Sequence, residues 1–197
     1  PGFETVNGVT EYLMRTPSHL FENIDAQVIA YGQDPYFNRT PDRFCSHQHA
    51  PNNTDYSYPT AVVKGNIAYI GWDIFAGYGK YGDLHQKELA DYVIGLLLGD
   101  GQSLRAAMPD RGVATLMQQG DKKIVHLLFA HTTNRGENTE VIEDIVPLYN
   151  ISVSVKCDKP SKVMLVPQKK EIDFNYADGE VSFVVPEVNV HQMICIE

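Results

Sequence analysis

The segment Ile172-Asp173-Phe174-Asn175-Tyr176-Ala177-Asp178-Gly179-Glu180-Val181-Ser182-Phe183-Val184-Val185 decides the fold of the second half of this chain. Apolar and polar residues alternate on both sides of a central Asp-Gly pair. Such a pair between two alternating runs is typical of a β-hairpin. The segment therefore predicts two antiparallel strands, 172–176 and 180–185.

Further segments around this hairpin are rich in residues that favour strands, with turn signals between them and no helical period. They are 113–118, 122–131, 144–155, 161–166 and 191–196. Short strands in this arrangement are typical of a small sandwich. We therefore predict an all-β antiparallel sandwich at 109–197. Three of its histidines, His126, His131 and His191, are predicted to have no chemical role.

The first half of the chain mixes strands with a helix, which predicts an α/β (or α+β) region at 1–108. Ala26–Tyr31 resembles a strand, and Lys64-Gly65 is the expected turn of a hairpin between 60–63 and 66–70. The glycine-rich run 77–82 is predicted to be a flexible turn.

A helix is predicted to follow this run, with Asp83 and Gln86 forming a capping box and Gly99 and Gly101 ending it. Its apolar residues recur at helical spacing and are expected in the core. They are Leu89, Tyr92, Val93, Leu96 and Leu97.

Composition narrows the possible functions. The 197 residues carry a net charge of −9, and no cluster of Lys and Arg is present to bind a phosphate backbone, so nucleic acid is not expected as a partner. No apolar run is long enough to span a membrane. Three widely spaced cysteines do not form a disulfide framework, which favours a reducing, cytoplasmic location. Because the first residue is Pro1, we expect a piece of a longer chain.

The long proline-rich segment 32–59 holds the densest group of chemically capable side chains. They are Asp34, Tyr36, Asn38, Arg39, Asp42, Arg43, Phe44, Cys45, His47 and His49. Cys45, His47 and His49 could donate to a metal, but they form an incomplete set for zinc. Cys45 could act as a nucleophile if a base lay within hydrogen-bond reach. The favoured interpretation is a surface ordered by its own hydrogen bonds and ion pairs, which contacts a neighbouring subunit or a sugar.

A second candidate contact group is aromatic. Trp72, Tyr78 and Tyr81 could offer ring faces to a sugar. Trp72 lies in a strand-like run, so burial in the core is the favoured alternative for this residue. No cofactor is predicted.

Size argues against catalysis by this chain alone. Retaining glycoside hydrolysis needs two carboxyl groups about 5–5.5 Å apart, and its usual (β/α)₈ scaffold needs about 250 residues. A chain of 197 residues without alternating strands and helices cannot hold that barrel.

Two segments carry a family resemblance. Tyr36-Phe37-Asn38-Arg39-Thr40-Pro41-Asp42-Arg43-Phe44-Cys45-Ser46-His47-Gln48-His49-Ala50-Pro51 resembles a signature of bacterial glycoside hydrolase-like proteins related to the family-42 β-galactosidases. Val141-Ile142-Glu143-Asp144-Ile145-Val146-Pro147-Leu148-Tyr149-Asn150-Ile151, with 163–167 after it, is similar to the start of the terminal sandwich of those proteins.

The resemblance implies half of a flavodoxin-like, glutamine-amidotransferase-like trimerisation domain followed by a β-sandwich. It also implies an upstream catalytic barrel in the parent chain, self-association as a trimer, and no catalytic residue in this piece. The expected function is therefore that of a non-catalytic accessory and oligomerisation region. The alternatives are a carbohydrate-binding module and a small independent enzyme or metal site that uses Cys45, His47 and His49.

Overall fold

The computed structural model describes Gly8, residues 11–36 and residues 51–197. The chain forms two compact units, Pro1–Gly99 and Asp100–Glu197. Most of the regular structure is antiparallel β-sheet, as expected for the sandwich. In the described part of the chain, neither helix has the length and apolar content needed to cross a membrane.

The first unit contains a three-stranded antiparallel sheet in the order β1-β2-β3. The strands are β1 (Gln27–Gly32), β2 (Tyr58–Lys64) and β3 (Ile67–Ile70). Lys64 pairs with Ile67, and Gly65 in the turn between them has φ +59°. This left-handed conformation suits glycine, and it makes the predicted hairpin tight.

The flavodoxin-like half-domain expected here is not confirmed. A doubly wound domain is built on a mostly parallel sheet, whereas β1, β2 and β3 pair antiparallel. The turn between β2 and β3 is too short for a parallel pair, because a parallel pair would need a crossover connection of a dozen or more residues.

Two helices follow the sheet, α1 (Ile74–Tyr81) and α2 (Leu84–Leu98), and a 3₁₀ turn follows at Gly99–Gly101. The prediction of a flexible turn at 77–82 is wrong, since most of this run lies in α1. The side chain of Asp73 accepts a hydrogen bond from the Ala76 amide at 2.9 Å and caps the helix. Gly82, with φ +67°, ends it in a left-handed conformation.

The start of α2 differs from the predicted capping box. Asp83 is the N-cap residue, but its side chain makes no capping hydrogen bond. One carboxylate oxygen lies 3.5 Å from Arg15 instead. Gln86 points inward and is only 1% exposed, so it cannot reach back to the Asp83 backbone.

The core of the first unit lies between the sheet and the helices. Its buried residues are Ala61, Trp72, Ile74, Leu89 and Val93. The end of α2 departs from the expected core stripe, because Leu96 and Leu97 are exposed. The buried apolar residues that α2 contributes to this core, Leu89 and Val93, therefore lie in its second and third turns.

The second unit is a β-sandwich. One sheet has the strand order β11-β10-β14-β6-β5, the other has β12-β13-β9-β4, and β7 and β8 form a separate ribbon. The strands are β4 (Leu104–Ala106), β5 (Val113–Gln119), β6 (Lys122–Leu128), β7 (Thr133–Arg135), β8 (Thr139–Val141), β9 (Leu148–Lys156), β10 (Val163–Val166), β11 (Lys170–Ile172), β12 (Phe174–Ala177), β13 (Glu180–Val188) and β14 (His191–Ile196).

The hairpin predicted from 172–185 is present as β12 and β13, with Ala177 paired to Glu180. Alternate residues of these strands and of β9 point into the core between the sheets. The buried core consists of Val125, Leu127, Ile151, Val153, Val155, Val163, Leu165, Val181, Phe183, Val185, Val188, Ile194 and Ile196.

The sandwich begins earlier along the chain than residue 109. β4 pairs with β9, with Arg105 opposite Ser154, so residues before 109 already belong to the second unit. Leu104 and Ala106 pack against the sandwich core. A three-residue strand carries too weak an alternation to be recognised from its sequence.

A carboxylate between two lysines joins the ends of three segments of the sandwich. Glu197 lies 2.7 Å from Lys122 and 3.0 Å from Lys162. These two hydrogen-bonded ammonium groups lower the pKa of Glu197 from 4.5 to about 2. The group therefore stabilises the fold above pH 4.5, and this contribution is lost as the pH falls through about 2.

Replacing both Lys122 and Lys162 with methionine should raise the pKa of Glu197 toward 4.5, because the ammonium groups that hold the carboxylate ionised are then absent. The pKa of Glu197 would be measured by NMR of its side-chain carboxyl carbon across an acid titration. A Glu197 pKa that stays near 2 in the double variant would contradict this account.

Candidate functional site

The long connection between β1 and β2 closes through a short neck. The amide of Tyr36 donates to the carbonyl of Pro51 at 3.0 Å, and the amide of Asn53 donates to the carbonyl of Asp34 at 2.8 Å. Pro35 and Asn52 form an antiparallel bridge between these two bonds. We call residues 34–36 and 51–53 the loop neck.

Tyrosines surround the loop neck. The hydroxyl of Tyr58 donates to the Asp34 carboxylate at 2.9 Å, and the rings of Tyr56 and Tyr58 lie 5.8 Å apart. Tyr31, Tyr36 and Tyr56 are 66%, 58% and 59% exposed. The neck therefore presents aromatic surface beside a carboxylate, an arrangement that suits sugars and protein surfaces alike.

The titration of Tyr58 reflects this setting. Burial raises the pKa of its phenol, and the hydrogen bond to Asp34 and the charges of Asp34 and Tyr56 raise it further. The proton on Tyr58 is thus held more tightly in the folded chain than in the unfolded one. Its stabilising contribution is complete below pH about 10 and is lost as the pH rises above that value.

Some of the residues predicted for the site lie in the described part of the chain, and others do not. Asp34 and Tyr36 belong to the loop neck, and the bond from Tyr58 to Asp34 was not foreseen. The remaining loop candidates lie outside the described residues. They are Arg39, Arg43, Phe44, Cys45, His47 and His49.

Trp72 is not a contact residue, since it is 7% exposed and its indole donates to the Gln86 side chain at 2.7 Å. The favoured interpretation of Trp72 as core is confirmed. The amide of Gln86 in turn donates to the sulfur of Met14 at 3.5 Å. These contacts link the segment before β1 to α2. Tyr78 and Tyr81 on α1 are partly exposed.

A second polar surface lies on the outer face of the four-stranded sheet. One row of side chains runs straight across β4, β9, β13 and β12, because its members are directly paired in register. They are Arg105, Ser154, Ser182 and Asn175. Arg105 lies 3.2 Å from Glu180, so the positive charge at the end of the row is neutralised within the sheet.

Carboxylates are sparse in the sandwich grooves. One groove is lined mainly by apolar residues, and its lining includes Asp110 and Arg111. The other lies along the polar row, and its lining contains no Asp or Glu. Within residues 8, 11–36 and 51–197, no three His, Cys, Asp or Glu side chains converge to hold a metal.

The two units match a stretch of a glycoside hydrolase, and the chain is related to that class of enzyme. The matching structure is α-L-fucosidase isoenzyme 2 from Paenibacillus thiaminolyticus, with a TM-score of 0.91 and 36% sequence identity over 98% of this chain. The match covers 30% of the fucosidase chain, so this chain spans less than a third of that enzyme. No family model and no curated protein matches the sequence.

Replacing Tyr58 with phenylalanine should lower the free energy of unfolding by about 0.5–1.5 kcal/mol at pH 7, the usual range for one hydrogen bond. The difference from wild type should shrink as the pH rises above about 10, because the wild-type phenol then ionises beside Asp34. Urea denaturation between pH 7 and 11 would measure both effects.

Tyr56→Phe is the matched control, because it removes a hydroxyl from the neighbouring ring and leaves the bond from Tyr58 to Asp34 in place. Equal, pH-independent losses in the two variants would show that this bond does not order the neck.

Proposed function

We propose that this chain is the accessory and oligomerisation region of a larger glycoside hydrolase that acts on α-L-fucosides. The observation that carries the proposal is the likeness to the bacterial fucosidase, which extends over both units at 36% identity. The likeness favours a fucoside over the galactoside that the family-42 resemblance implied. Kinship with family 42 itself stays a prediction.

The size of the chain supports a non-catalytic role. The matched stretch is 30% of the fucosidase chain, so most of that enzyme lies outside it. A retaining glycosidase needs two carboxyl groups about 5–5.5 Å apart on a rigid scaffold, and neither sandwich groove brings two together. The chemistry of the parent protein is therefore assigned to its remaining part.

The purified 197-residue chain should not hydrolyse aryl α-L-fucosides or aryl β-D-galactosides above the uncatalysed rate, because it supplies no catalytic scaffold of its own. Release of nitrophenol at high chain concentration is the measurement, and the full-length parent protein is the positive control. Turnover by the isolated chain would overturn the accessory role. Turnover of the galactoside alone by the parent would overturn the choice of sugar.

The loop neck supports the assembly role. Its tyrosines are rigid and amphipathic, and such residues are enriched where proteins meet. The neck hydrogen bonds fix the backbone at Tyr36, and the bond from Tyr58 to Asp34 fixes the ring beside Tyr56, so less freedom is left to lose on binding. The same rings suit the apolar faces of sugars, so the neck fits a subunit contact that also borders a neighbour's sugar cleft.

Changing Tyr36 and Tyr56 together to alanine should weaken self-association by about tenfold or more, as expected for two buried aromatic anchors. Sedimentation equilibrium over a wide concentration range would measure it and give the oligomer number.

Tyr149→Ala is the matched control, because it removes an equally exposed ring from the sandwich, and it should leave association unchanged. A wild-type chain that stays monomeric at every accessible concentration would end the assembly role.

A further inference from the structure

Two histidines lie side by side on the outer face of the five-stranded sheet. His126 of β6 pairs with Met193 of β14, and His191 lies two residues from Met193 on the same strand. Residues two apart on a strand share a face, so both imidazoles point to the same side. That side is outward, because their neighbours Leu127 and Gln192 are buried in the sandwich.

The two rings meet through their nitrogens. Nδ1 of His126 and Nε2 of His191 are 3.0 Å apart, and the ring planes are parallel within 5°. A hydrogen bond between two neutral imidazoles uses one N–H group and one lone pair, so a single proton occupies the contact. Two nitrogens held this close are the donor pair that a metal ion needs from one surface.

The nitrogen separation matches metal coordination closely. Zinc–nitrogen bonds of 2.0–2.1 Å at a tetrahedral angle place two nitrogens about 3.3 Å apart. The observed 3.0 Å is a few tenths of an ångström shorter. Both side chains reach solvent, so the rings can turn and direct their lone pairs at one ion in place of the shared proton.

We infer that His126 and His191 form a binding site for a late first-row transition ion such as Zn²⁺ or Cu²⁺. Imidazole suits these ions, whereas Mg²⁺ and Ca²⁺ require oxygen ligands. In the described part of the chain no third His, Cys, Asp or Glu joins the pair. The protein therefore supplies two donors, and water or a donor from another molecule supplies the rest.

The outer face around the histidine pair is largely apolar. Antiparallel sheets usually turn polar side chains to water on their outer face. Here Val113, Met117 and Leu128 occupy outward positions near the histidines and are exposed. These apolar neighbours offer no hydrogen bonds to the imidazole nitrogens, whereas Thr115, paired with His126 on β5, places one hydroxyl on the same face.

Isothermal titration of the chain with zinc chloride would test the site. Wild type should bind zinc, and either His126→Gln or His191→Gln should weaken this binding by about tenfold or more, since loss of even a supporting group costs that much at a metal site. His131→Gln is the matched control, because it removes an exposed histidine of the same unit and should leave the affinity unchanged.

The three histidine variants also separate this site from Cys45, His47 and His49. Zinc binding that survives unchanged in both His126→Gln and His191→Gln would place the ion elsewhere and overturn the inference. Absence of binding by folded wild type would overturn it as well. A second readout is the nitrogen hyperfine pattern of bound Cu²⁺, which should report two imidazoles in wild type and fewer in either variant.

Discussion

The pairing of β9 with β13 is the constraint on which the sandwich depends. The two strands run antiparallel in register from Lys156 opposite Glu180 to Leu148 opposite Val188. Because side chains alternate between faces, a shift of one residue would turn the buried valines of one of the two strands toward solvent. β4 pairs with β9 and β12 pairs with β13, so the alignment of the polar row on the outer face depends on the same register.

The first unit depends on one buried polar side chain. Gln86 is almost fully buried, accepts from the Trp72 indole and donates toward Met14. A buried amide without partners would cost about 1–3 kcal/mol, so these contacts select one arrangement of the segment before β1 against the helix. Gly77 packs against the same side chain, since a Cβ there would lie 3.3 Å from its carboxamide carbon. This close packing links the two helices.

Local signals in the sequence predicted the elements that rest on local physics. The hairpin at 172–185 has an Asp-Gly turn and strong alternation, and α2 has a long helical period, so both were foreseen. α1 was missed because its glycines suggested a turn, while its start depends on the Asp73 side chain. The prediction of a capping box was wrong because the Gln86 side chain is buried in the core. That burial depends on tertiary packing, which a local sequence pattern does not indicate.

The loop neck and the histidine pair differ in how much of each could be predicted from the sequence. Asp34 and Tyr36 stood out by residue type, but the partner Tyr58 lies 24 positions further along the chain. The histidine pair joins residues 65 positions apart, and only the strand register brings them together. Spacing in a single sequence does not carry that information.

The loop neck also bears on how this protein can change over evolutionary time. Its hydrogen bonds join the two arms of the connection close to the ends of β1 and β2. The entropic cost of closing such a stretch grows only slowly with its length. A change in the number of residues between the two arms should therefore cost the first unit little free energy as long as the neck hydrogen bonds are kept.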